Sequence, residues 1–107
     1  MNIKDERTRD VLMRAAAEFF LRESAGPALI TVTRVTVSEG GKNVHIGLSV
    51  LPEQYEENVA DFAHRKRGDL AQYIKEHTRL GRIPYITITI DYGEKNRQKI
   101  DELGRNT

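Results

Sequence analysis

Near the start of the chain, apolar residues recur every four positions in two adjacent rows: Val11, Ala15 and Phe19, and Leu12, Ala16 and Phe20. Two neighbouring rows at that spacing form one broad stripe, which predicts a helix over 5–23. Ser24-Ala25-Gly26-Pro27 ends it, because glycine accepts a left-handed cap and proline cannot continue a helix. The period then falls to two. Residues 29–38 are rich in β-branched side chains and predict a strand. Its alternation is out of step: Ile30 and Val32 face one way and Val35 and Val37 the other, unless a bulge near Thr33-Arg34 resets the phase. Glu39-Gly40-Gly41-Lys42 is a hairpin turn signal. Val44, Ile46, Leu48 and Val50 then alternate with Asn43, His45, Gly47 and Ser49, giving a second strand with one buried and one polar face.

Helical spacing returns after Pro52, which suits a first helical turn, with Glu53, Glu56 and Glu57 at the positive end. Tyr55, Val59 and Phe62 supply a core face, and a second helical pattern follows in Leu70, Tyr73, Ile74, His77 and Leu80. Gly68 weakens a helix interior, and Asp69 with Gln72 stands in capping-box register, so two helices meeting at Gly68 are expected rather than one straight rod. Gly81 is the expected cap of the second helix, ahead of Pro84. Ile86, Ile88 and Ile90 alternate with Tyr85, Thr87, Thr89 and Asp91 in a third strand, and 94–103 can form a short amphipathic helix through Ile100 and Leu103.

The predicted order is αββααβ plus a short C-terminal helix. A hairpin and a helical crossover to a third strand make an α+β two-layer sandwich, with helices on one sheet face and the other face open. The in-phase apolar positions predict a core of Val11, Phe19, Val44, Ile46, Leu48, Phe62, Leu70, Ile74, Ile86, Ile88 and Ile90.

A length of 107 residues, 38% apolar and 31% charged, fits one domain over 1–107, ordered from about residue 5 to 103, under a heavily charged surface. The absence of cysteine excludes disulfides and thiolate metal sites. No apolar run approaches the roughly 20 residues that span a bilayer, and the mixed-charge start is neither a signal nor a transit peptide, so a cytoplasmic protein is the default expectation, although a processed organelle protein would have the same sequence features. Charge is unevenly placed. Glu53, Glu56, Glu57 and Asp61 leave residues 51–63 at −4, whereas Arg65, Lys66, Arg67, Lys75, Arg79 and Arg82 against Asp69 and Glu76 leave residues 64–82 at +4. Such a switch fits either a polarised binding surface or acids and bases sorted along the helix dipole.

Catalysis and metal binding need convergent groups. His45, His64 and His77 fall on different elements at no metal-ligand spacing, and Asp61 with His64 one turn later has the spacing of an ordinary surface pair. No phosphate loop, nucleophile elbow or zinc signature occurs, so neither an enzyme nor a cofactor is expected. Arg65, Lys66, Arg67, Gly68, Lys75, Arg79 and Arg82 around the helix junction, with Arg34 from the sheet, are the candidate RNA-binding residues. Bases there can neutralise phosphates, and amides at a helix start can donate to phosphate oxygens. The bland alternative is a solvated basic face paired with Asp69 and Glu76. Tyr85 on the polar sheet face is a candidate for base stacking.

The element order is that of the type II KH fold, whose ordinary members clamp single-stranded RNA with a Gly-x-x-Gly loop. No Gly-x-x-Gly occurs here; Lys66-Arg67-Gly68 stands at that junction. Ile30-Thr31-Val32-Thr33-Arg34-Val35, the basic Arg79-Leu80-Gly81-Arg82-Ile83-Pro84 segment and Lys99-Ile100-Asp101-Glu102-Leu103 complete a pattern running from about Arg7 to Leu103. That pattern resembles the ribosome-binding factor A family, which replaces the loop with an interhelical Ala-x-Gly kink; Gly68 matches the family glycine and Lys66 stands at the alanine position. The resemblance implies a KH-like (type II) domain acting as a monomer on the immature small ribosomal subunit and its 16S rRNA, with no membrane partner. It further implies a role in late maturation and rRNA processing, and a growth defect in the cold when the factor is lost. A generic KH-like RNA module or a protein-interaction domain would share most of these sequence features.

Overall fold

The computed structural model describes residues 3–24 and 26–92. The elements are α1 (Ile3–Glu23), β1 (Leu29–Val37), β2 (Asn43–Leu51), α2 (Glu56–Arg65), α3 (Arg67–His77) and β3 (Tyr85–Ile90), with 3-10 turns at Glu39–Gly41 and Glu53–Tyr55. The expected C-terminal helix at 94–103 lies outside the described residues. The three strands form one sheet in the order β1-β2-β3. β1 and β2 pair antiparallel through the hairpin, and β3 joins β2 in parallel after the α2–α3 crossover, the connection a parallel pair requires. The fold is therefore the two-layer α+β sandwich that the element order predicts, in αββααβ order.

The bulge in β1 is where the alternation requires it. Val32 pairs with Leu48 and Arg34 with Gly47, leaving Thr33 as the extra residue. Thr33 Oγ1 donates to the Gly47 carbonyl at 3.3 Å. With the phase reset, Ile30 and Val32 join Val35 and Val37 in facing the helices; the first two are partly buried and the last two fully. The hairpin turn closes through Ser38 N to Asn43 O and Asn43 N to Ser38 Oγ, both 2.9 Å. Gly40 and Gly41 there take φ of 81° and 71°, a region that costs a side-chain-bearing residue.

The stripe of α1 is centred on Leu12, Ala15, Ala16, Phe19 and Phe20, all buried, the i, i+3, i+4, i+7, i+8 spacing of a helix laid on a sheet. Val11, expected in the core, sits on its rim at 39% exposure. Phe62 and Ile90 line the core as partly buried residues, while Val44, Ile46, Leu48, Leu70, Ile74, Ile86 and Ile88 are buried as the periodicity predicts. Pro52 does not enter a first helical turn; it precedes the 3-10 turn in an extended conformation, and α2 begins at Glu56. Nor does Gly81 cap α3. The helix stops at Thr78, whose amide and hydroxyl both donate to the Ile74 carbonyl, at 3.0 and 2.6 Å, while Gly81 takes φ of 69° in the loop before β3.

Phe19 is 2% exposed and meets Phe20 and Tyr73 edge-on at 5.2 and 5.7 Å between ring centroids. Phe19→Ala is expected to destabilise the domain by roughly 3–5 kcal/mol, whereas Val11→Ala on the rim costs no more than about 1 kcal/mol. Equal shifts of the two urea midpoints would contradict this placement of α1.

Candidate nucleic-acid interface

The helix break falls at Lys66 rather than at Gly68. Lys66 has φ −91° and ψ 3°, ending α2 and preceding α3. Hydrogen bonding of helical spacing continues on both sides, from Lys66 N to Phe62 O at 3.0 Å and from Leu70 N to Lys66 O at 2.8 Å, so the disturbance is one residue deep. Gly68 lies in the first turn of α3, exposed, without positive φ, and a Cβ built there meets nothing within 4 Å. The expected Asp69–Gln72 capping box is not formed: α3 has no side-chain cap, and the Gln72 amide donates instead to Glu76 at 2.9 Å.

The kink gathers four of the candidate residues. Lys66 is half-buried, with its ammonium 3.5 Å from Asp69 and 4.0 Å from Glu23. Both contacts are open to water and worth no more than about 1 kcal/mol each. Arg65 is exposed at the end of α2, beside a shallow depression shared with Asn58, Asp61 and His64. Arg67 turns toward β3: its Nη1 donates to the Tyr85 hydroxyl at 3.1 Å and its guanidinium carbon lies 5.2 Å from the Tyr85 ring centre.

The remaining candidates do not join that group in one surface. Lys75 is exposed on α3, about 12 Å along the axis from Arg67 at 1.5 Å per residue. A spacing of four would align it with Arg79 on a continued helix, but Thr78 is extended and Arg79 lies past the helix end. Arg82 is exposed in the loop, three residues before Tyr85 and so within roughly 10 Å of it along the chain. Arg34 is exposed on the open sheet face, on the far side of the sheet from the helices. His77 stacks on Tyr73 with centroids 3.9 Å apart, and its Nδ1 donates to the Tyr73 carbonyl at 2.9 Å. Lys42, outside the basic segment that the charge pattern singles out, is exposed beside the Tyr85 corner, where Tyr85 N donates to its carbonyl at 2.9 Å. That neighbourhood follows from the parallel register of β2 and β3, which the strand pattern alone does not specify. Among the described residues no three His, Asp or Glu side chains converge as metal ligands, and no helix is long and apolar enough to cross a membrane.

The arrangement can neutralise phosphates at the kink and stack a base on the Tyr85–Arg67 pair. Comparison with known proteins bears on what it meets. The family model described as ribosome-binding factor A matches residues 4–104. The crystal structure of ribosome-binding factor A from Thermus thermophilus aligns with a TM-score of 0.71 at 22% identity, over 80% of this chain and 93% of that one. The solution structure of a Thermotoga maritima protein described as a putative ribosome-binding factor A aligns with a TM-score of 0.58 at 24% identity, over 85% and 86% of the two chains. No curated protein matches by sequence.

Because Gly68 is helical and unobstructed, Gly68→Ala is expected to stabilise the domain by about 0.5–1 kcal/mol. A loss of similar size in thermal unfolding would mean that the glycine conformation is needed at the kink.

Proposed function

Since the chain belongs to the ribosome-binding factor A family, we propose that it binds the immature small ribosomal subunit through its 16S rRNA and assists late maturation and processing of that RNA. It does so as a cytoplasmic monomer, by binding rather than by catalysis, and its loss slows growth in the cold. The observation that carries the RNA contact is the set of lightly held cations at the kink and on α3. Arg65 and Lys75 have no ion pair among the described residues, and Lys66 is held only by weak, solvent-open partners. An RNA phosphate can therefore replace water or a carboxylate at each with little loss. Gly68 keeps the first turn of α3 free of side-chain bulk beside these cations. Arg79 and Arg82, apart from the kink in the loop after α3, each add charge without adding sequence readout.

Sedimentation of lysate through sucrose gradients tests this reading. The parent protein is expected in the small-subunit precursor fractions, with a log–log salt slope of roughly −2 to −4 if about three or four phosphates are contacted. Arg65→Glu combined with Lys75→Glu should move the protein toward the top of the gradient while its melting temperature stays near the parental value. Undiminished co-sedimentation of the double variant at raised salt would remove these two cations of α2 and α3 from the interface. Failure of the parent to enter the precursor fractions would favour a generic RNA module or a protein-interaction domain.

A further inference from the structure

The three strands carry no Asp or Glu at any position, in a chain with 16 acidic residues. The nearest carboxylates in sequence, Glu39, Glu53 and Asp91, lie outside the strands; of these, Asp91 extends the polar row of β3 one step beyond Thr89, its amide donating to the Leu48 carbonyl at 2.6 Å. Opposite charges across strands favour pairing, and no strand position here supplies the acidic partner of such a pair. This face instead sets the Arg34 cation and the His45 ring among hydroxyls. Arg34 pairs with Gly47 and Gly47 with Thr89 in one row across the sheet, and His45 pairs with Thr87 in the next. His45 Nε2 and Thr89 Oγ1 share a hydrogen bond at 2.7 Å. Arg34 is exposed and has no ion pair among the described residues. Gly47 provides the room that Arg34 occupies, since a Cβ at position 47 would stand 3.3 Å from the Arg34 Cβ. At the corner of this face Tyr85 is 59% exposed, with Arg67 against its ring.

We propose that the open sheet face around Arg34, His45 and Tyr85 is a further RNA surface, which takes a single strand and adjoins the contact at the helix kink through the Tyr85–Arg67 corner. The inference rests on the ribosomal RNA reading above for the class of its ligand. The absence of carboxylates from the strand positions lowers the repulsion that a phosphate backbone would otherwise meet there, and Arg34 supplies the charge to hold it. Thr87 and Thr89 offer hydroxyls to sugar and base edges, and Tyr85 offers a ring on which a base stacks with the Arg67 guanidinium. Three strands about 4.8 Å apart and a few residues of each give a platform for about two or three nucleotides. A duplex presents neither free base faces nor a surface shaped to so small a platform, so the ligand is single-stranded.

Titration of the 15N-labelled protein with a short oligouridylate, followed by amide shifts, tests the assignment. The expected result is shifts at Arg34, His45, Gly47, Thr87 and Thr89 that persist in the Arg65→Glu, Lys75→Glu variant and do not appear with a duplex of equal length. Arg34→Glu should weaken oligouridylate binding about tenfold or more, and Thr87→Glu, which puts an acid on the face without touching Arg34, should do likewise. Spectra of the free variants that overlay the parent's show that the fold is kept. Shifts confined to α2 and α3 would overturn the sheet surface and leave the proposed function standing. No shift anywhere, with undiminished sedimentation on small subunits, would also overturn it and would place that association outside single-stranded RNA. Shifts of the same amides on dilution without RNA would assign the face to self-association and overturn it equally.

Discussion

Without an extra residue in β1, that strand would offer the helices either Ile30 and Val32 or Val35 and Val37, never all four. The Thr33 bulge removes this conflict, and the layer boundary follows from it. α1 can then lie along the whole strand, with Ala15 and Ala16 permitting close approach and Phe19 and Phe20 filling the space beside them. The same residue determines the other side of the sheet. Arg34, next in the chain, is brought opposite Gly47 and so comes to stand over the central strand. One local irregularity thus places both the apolar floor of the core and the cation of the open face.

The helix kink depends on this core rather than on its own chemistry. Val59 and Ala63 in α2 and Leu70 and Ile74 in α3 are all buried, and their spacings of four, seven and four would share one stripe on an uninterrupted helix. Their apolar period therefore gives no sign of a break. What breaks the helix is a single residue at ψ near zero, with helical hydrogen bonding resumed on either side. Lys66 tolerates that geometry as most residues do. Its charge lies between α1 and the start of α3, within reach of Glu23 and Asp69.

What is legible from residues alone follows this division. The strands, their open face, the bulge and the order of elements rest on alternation and β-branched composition, which are local signals. Gly68 marks the right neighbourhood of the break for a wrong reason, because intrinsic helix weakness is a preference that tertiary packing overrides. Gly81 likewise has the pattern of a cap, whereas Thr78 ends α3 through its own hydroxyl. Threonine at a helix end has no distinctive pattern, and it becomes visible only when the partner carbonyl is seen. The candidate cations are legible as a charge excess, but not their distribution. Whether Arg67 faces the kink or the Tyr85 corner, and whether Lys42 stands beside it, is settled by the register between β2 and β3, which links residues some forty positions apart.

A three-stranded sheet has a high proportion of edge for its size, and both outer strands here are protected against recruiting a further strand. β1 carries the bulge near its middle, where the unpaired residue bends and twists the strand, and places Arg34 beside it. β3 is only six residues long, with Pro84 just ahead of it, so it offers few consecutive backbone groups. Bulges, edge charges and short edge strands are means by which natural sheets avoid edge-to-edge aggregation. The irregularity that lets the core form therefore also helps keep copies of the chain from joining sheet to sheet while they fold.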